Sequence, residues 1–185
     1  MVLTCLGDAS DITYKRSRRG DSEIDRAFVH VLKHSGEPHS VIDFVPYGYD
    51  ERQYCSPGIN LPVGCMMRAR HGEFSEYHTS ADNLDFVRAD ALADSFSKCL
   101  AVIEILEDNR VYVNQNPKGE PQLGKRGLYG GGDAMKEREQ AYFWVLNLSD
   151  GNHSLLDIAE GAKLPFVAIK QAATALAATD LLAPL

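Results

Sequence analysis

Five side chains are placed where they could do chemistry: Asp8, Asp50, Glu51, Tyr54 and His78. His78 stands in Tyr77-His78-Thr79-Ser80-Ala81-Asp82-Asn83, at the end of a polar, irregular loop. A helix start signal follows, because Asp82 or Asn83 can accept from the free N–H groups of a first turn. An imidazole held neutral at a loop–helix junction suits zinc, which demands a deprotonated nitrogen at about 2.0–2.1 Å. On composition alone the plainer reading is a solvent-exposed loop histidine. Asp8 closes the apolar run Val2-Leu3-Thr4-Cys5-Leu6-Gly7. That run reads as a buried parallel strand, and open α/β sheets gather ligands at the carboxyl ends of such strands. The other reading is a Gly-Asp turn leaving a strand. Asp50, Glu51 and Tyr54 lie in the turn-rich stretch 47–58, the kind of loop in which function concentrates when a sheet positions it. Alternatively, Asp50 caps a turn and Glu51 pairs with Arg52 at the surface.

The elements that must position these groups follow from periodicity. A short strand is expected over 11–17, with Lys15, Arg16, Arg18 and Arg19 forming a charge run that could grip an anion or simply be solvated. Ser22 and Asp25 make a near capping box, and Ile24, Ala27, Phe28, Val31 and Leu32 recur at helical spacing, so residues 22–34 form an amphipathic helix. His30 and His34 share a face of it at i, i+4, as a chelating pair or as surface histidines. Residues 39–46 read as a second core strand, completing a strand–helix–strand unit. Another strand, 63–68, leads back toward His78, with Gly64 permitting a close backbone approach. From Asn83 onward, Leu84, Val87, Ala91, Leu92, Phe96, Cys99, Leu100, Ile103 and Leu106 paint one stripe along a long helix expected to cover the sheet. Residues 110–114 are expected to add an edge strand.

The stretch 116–133 is rich in Gly and Pro and has no apolar period, so it reads as a linker between a domain at 1–115 and a module at 134–185. The module shows a helix over 134–148, a second starting at Ser154 and ending at Gly161, and a third opened by Leu164-Pro165. With Leu181-Leu182 as a wing strand, the spacing is that of a winged helix-turn-helix. Its expected recognition helix offers only Lys170 and Gln171. Residues 134–185 carry four basic and six acidic side chains, a balance of −2. Packing or homo-oligomerisation is therefore favoured over nucleic-acid binding.

At 185 residues, 44% hydrophobic and 24% charged, the chain has the material for one or two globular domains. A net charge of −7 disfavours an anionic partner such as nucleic acid. Cys5, Cys55, Cys65 and Cys99 show no CxxC spacing and read as buried thiols suited to a reducing cytoplasm. No basic segment followed by an apolar core opens the sequence and no apolar run approaches 18 residues, so neither secretion nor membrane spanning is expected.

GYDERQY…PGINLP followed by EYHTSADN resembles the final part of the di-zinc aminopeptidase-like family, and the tail is similar to a bacterial branch with a C-terminal winged helix, associated with polysaccharide biosynthesis. The resemblance implies an α/β fold: part of an aminopeptidase-like α/β/α sheet domain followed by a small winged-helix-like domain. It implies zinc as cofactor and a peptide or amide as small-molecule substrate. His78 and Asp8 would be metal ligands, and Asp50, Glu51 and Tyr54 would contact substrate. The family's usual histidine in this loop is Glu51 here. A further expectation is that the chain is the C-terminal portion of a longer protein, whose upstream part holds the remaining ligands and the general base. The rival classes are a non-catalytic ligand-binding or interaction module and a DNA-binding regulator.

Overall fold

A computed structural model describes residues 1–129 and 134–185, in two compact units, Met1–Leu106 and Glu107–Leu185.

The first unit is built on a four-stranded mixed sheet in the order β1-β4-β2-β3, where β1 is Val2–Leu3, β2 Ile12–Lys15, β3 His39–Ile42 and β4 Cys65–Met67. β1 runs parallel to β4 and β2 parallel to β3, whereas β2 and β4 are antiparallel. The inner strands β2 and β4 are buried at every residue. Between β2 and β3 the chain forms α1, Glu23–Ser35, opened by the Ser22/Asp25 capping box and closed by Gly36 at φ 73°. Its apolar face carries Phe28, which stacks on Tyr14 at 4.1 Å between ring centroids, and Leu32, which is fully buried. Burying each such side chain contributes roughly 1.5–3 kcal/mol. Gly64 lets the backbone pass over Tyr14: a Cβ there would fall 2.5 Å from Cζ of the ring.

Five expectations are corrected in this unit. The apolar run at 2–6 forms an edge strand rather than a sheet centre, since β1 stops at Leu3, which is exposed, and the backbone turns at Cys5 with φ 47°. β3 is likewise an edge, exposed at His39 and Ser40, not a core strand. Lys15 is not solvated but fully buried. The long helix, α3, begins at Ala89 instead of Asn83. Residues 79–88 instead make turns in which Thr79 Oγ1 accepts from Ala81 N–H and Asn83 Oδ1 from Asp85 N–H, the local bonding by which such side chains compete with helix. Arg88 N–H then donates to the Gly7 carbonyl at 2.7 Å, and Val87 lies against Gly7, so this stretch is tied to the turn after β1. The expected stripe also splits. Of its residues Ala91 and Cys99 are buried, while Leu92, Phe96, Leu100 and Ile103 are exposed; the buried face of the helix is completed by Val102 and Ile105, which lie off the expected stripe.

The second unit has its own antiparallel sheet, β6-β5-β7, with β5 at Val111–Asn114, β6 at Asp150–Ser154 and β7 at Leu182–Pro184. Because β5 pairs on both sides within this sheet, the boundary falls before residue 107 and not inside 116–133, and residues 111–114 are no edge strand of the first sheet. The last residues of the expected linker, 130–133, lie outside the described residues. Helices α4 (Ala134–Leu148), α5 (Leu155–Ala162) and α6 (Phe166–Ala177) pack on one another around Tyr142, Val145, Leu156, Ile158, Ile169 and Leu176. Ser154 and Asp157 form a capping box for α5, and Pro165 occupies the N-cap of α6. No helix among the described residues is long and apolar enough to cross a membrane.

Candidate functional site

At the exit of β1, three loops bring aromatic, hydroxyl, thiol and imidazole groups together. Cys5 Sγ lies 3.7 Å from the Tyr49 hydroxyl, and that hydroxyl lies 2.9 Å from the hydroxyl of Tyr77. The His71 ring sits edge-on to Tyr49 at 5.1 Å and 5.3 Å from the Tyr47 ring, and its Nδ1 is buried without a partner. His78 stacks on Tyr77 at 3.9 Å, is exposed, and adopts φ 59°, a left-handed conformation uncommon for a residue with a Cβ. Phe74 packs on both Tyr77 and Phe86, which closes the loop behind the histidine. Burial, followed by the bond to Tyr77, raises the pKa of Tyr49, so at neutral pH its hydroxyl is a neutral hydrogen-bonding group.

Beneath this cluster lies a buried ion pair. Lys15 on β2 and Glu51 at the start of α2 (Glu51–Tyr54) are each almost wholly excluded from solvent and paired to one another. Lys15 also donates to the Tyr47 carbonyl at 2.8 Å, and the Tyr49 N–H donates to both Glu51 oxygens at 3.1 and 3.2 Å. Gly48 is required beside them, since a Cβ there would collide with the Glu51 carboxylate and the Lys15 ammonium. The pair therefore fixes the backbone that presents Tyr49. Nearby Cys65 is inert, its thiol pushed up to about 12, first by burial and then by the Glu51 charge.

The residues singled out from sequence are distributed unevenly about this cluster. His78 is part of it. Glu51 is beneath it, with its oxygens engaged by Lys15 and Tyr49. Asp50 is exposed at the N-cap of α2, and Tyr54, at the other end of that helix, is 46% exposed. Asp8 is buried, and its two oxygens accept from the N–H groups of Ser10 at 2.8 Å and Ala69 at 3.2 Å. His78 lies well before the first residue of α3, so the expected loop–helix junction is instead a run of turns. His30 and His34 have ring centroids 4.4 Å apart, and His30 is buried rather than at the surface. Among the described residues no group of three or more His, Cys, Asp or Glu side chains could hold a metal ion. Sequence patterning does not single out Tyr49, Tyr77, Cys5 or His71. Their signal there is the density of aromatic residues in the two loops, which marks a site without showing which rings meet.

Fold and site thus define an α/β unit with a built hydroxyl–imidazole cluster, followed by a winged helix. The chain belongs to the family of the domain of unknown function DUF4910, whose model matches residues 1–109. A winged helix-turn-helix model matches residues 110–184. The chain is 55% identical over 185 residues to a Clostridium acetobutylicum protein named for polysaccharide biosynthesis and for an aminopeptidase-like domain, covering 98% of this chain. It is also similar, with a TM-score of 0.90 and 52% identity over 100% of its length, to a Clostridium acetobutylicum protein whose crystal structure is named as that of a peptidase. The chain spans 42% of the first relative's length and 41% of the second chain.

Proposed function

We propose that this chain is the C-terminal portion of a zinc-dependent, aminopeptidase-like hydrolase acting on peptide or amide bonds. The observation that carries the reading is the exposed His78 imidazole, tied through Tyr77 and Tyr49 to Cys5 at the exit of β1. The names of the relatives support it. A catalytic zinc takes three protein ligands and keeps one position open. His78 is chemically suited to be one, and Asp8 is proposed as another, since each of its oxygens accepts one backbone N–H and keeps a lone pair. The described residues alone do not complete a zinc site, so the remaining donors and the general base would come from the part of the protein outside this chain.

What this chain's own residues would contribute is binding and orientation. One of the Tyr49 and Tyr77 hydroxyls donates to the other; when Tyr49 is the donor, the Tyr77 proton would be available to a substrate oxygen, and when Tyr77 is the donor, the Tyr49 proton faces Cys5 Sγ. The Lys15–Glu51 pair holds Tyr49 in place, and exposed Asp50 and Tyr54 are available to a substrate's amino group and side chain. A cytoplasmic location and self-association through the winged helix belong to the same proposal, with nucleic acid disfavoured as a partner.

The second reading, a non-catalytic ligand-binding module, is favoured by the engagement of Asp8 and Glu51 with groups of the chain itself. An assay of amide hydrolysis by a protein of the relatives' full length separates the two. Under the hydrolase reading, His78→Ala loses at least about a hundredfold in kcat/KM with folding unchanged. Absence of activity in the unaltered protein favours the module.

A further inference from the structure

The second unit contains a cavity of about 470 Å³ between the loop after β5 and the last turn of α4, within the range of small-molecule sites. Pro121, Phe143 and Leu146 give it an apolar wall, and Glu120 and Asp150 are its acidic residues; Asp150 Oδ1 already accepts from the Asn152 N–H at 2.8 Å and lies 3.0 Å from His153 Nδ1, just outside the lining. No Lys, Arg or His lines it among the described residues. Ser149 lies there too, 2% exposed. Its N–H donates to the Val145 carbonyl at 2.9 Å and its carbonyl accepts from Asn114 N–H at 2.7 Å, yet its buried hydroxyl has no partner. Leu146 of the last turn of α4 also lines the space; its carbonyl accepts from Asn114 Nδ2 at 2.7 Å, and the carbonyl end of a helix as a whole favours positive charge.

From this we infer that the cavity binds a primary ammonium group carried on a short apolar stem. The ammonium would donate to the Ser149 oxygen and to the Glu120 and Asp150 carboxylates, while the stem lies on Phe143 and Pro121. Among the described residues the lining itself carries no cationic side chain for an anion to pair with, and the nearby His153 is turned to Asp150. The same chemistry is presented by a free alkylamine and by a lysine side chain of a peptide. The site is remote in sequence from the residues proposed for hydrolysis and does not depend on that reading.

Amide chemical shifts of this whole chain, titrated separately with n-pentylammonium, N-acetyl-lysine amide, n-pentanol and pentanoate, test the inference. The expected result is perturbation at Asn147 and Ser149, with n-pentylammonium binding about tenfold more tightly than n-pentanol and pentanoate not at all. Glu120→Gln, at an exposed position, should weaken n-pentylammonium about fivefold without changing the Tm. Tighter binding of N-acetyl-lysine amide assigns the site to a peptide side chain, and tighter binding of the free amine assigns it to a small metabolite. Equal binding of pentanol, binding of pentanoate, insensitivity to Glu120→Gln, or the absence of any perturbation would overturn the assignment.

Discussion

The hydroxyl groups of Tyr49 and Tyr77 meet at 2.9 Å although 28 residues separate them in sequence. Each comes from a loop with little regular structure, so the bond, together with the Cys5 contact, joins the segments around the exit of β1. Tyr49→Phe removes one partner of a half-buried pair and should cost about 1 kcal/mol in urea denaturation. The same variant should retain the edge-on contact of His71 with the ring. An unchanged midpoint would show that the bond contributes nothing to the folded chain.

The Lys15–Glu51 pair lies underneath, and its position predicts a strong asymmetry between single and double substitution. Lys15→Met or Glu51→Leu alone strands a buried charge and should destabilise by about 3–5 kcal/mol. The double variant should cost less than either single one by roughly 2 kcal/mol, because no uncompensated charge remains. Additive losses in a denaturation cycle would contradict a direct pairing.

Acid sensitivity is expected from α1. Burial, and then the positive charges of His34, Lys33 and Arg26, lower the His30 pKa from 6.5 to about 4. The unfolded chain therefore takes up a proton first as the pH falls through 6.5, so the stabilisation is full above that value and is lost progressively toward 4. Between pH 7.5 and pH 5, His30→Gln should lose on the order of 2 kcal/mol less stability than the unaltered chain. Identical losses in urea titrations at the two pH values would show that His30 is not the group responsible. Asp25 acts lower. Burial raises its pKa but bonds from Ser17, Ser22 and Tyr14 outweigh that and hold it below 3.8, so its contribution disappears only in stronger acid.

The winged helix should not bind DNA appreciably. Lys170, the one basic residue of α6, is paired with Asp108, and Val167 stands exposed on that helix at 56%. Sequence-specific recognition helices instead present Arg, Lys, Asn or Gln to the groove. Gel shifts at low salt should show no retained complex, whereas affinity that falls steeply with added salt would restore a regulatory role.

Much of this architecture is legible in the sequence where local chemistry decides it. The Ser22/Asp25 box, the spacing of Phe28 and Leu32, and the Ser154 and Pro165 starts fix α1, α5 and α6. Errors arise where long-range pairing decides. Residues 150–154, Asp-Gly-Asn-His-Ser, lack any strand pattern and form β6 only because β5 supplies a partner. Asn83 looks like a helix cap, yet the ties of residues 87 and 88 to Gly7 delay the helix to Ala89. His78 was visible because a motif surrounds it. Tyr49 and Tyr77 were not, because no periodicity tells two distant loops to meet. Glu51 looked like a loop carboxylate, and only the buried placement of Lys15 shows what it holds.

The central claim is that His78 ligates zinc in company with groups from outside this chain. Metal analysis after dialysis, on a protein of the relatives' full length, on its His78→Ala form and on this chain alone, tests it most directly. Stoichiometric zinc is expected in the first, a large loss in the second and none retained by the third. Zinc retained equally by the first two, or absent from both, would contradict it.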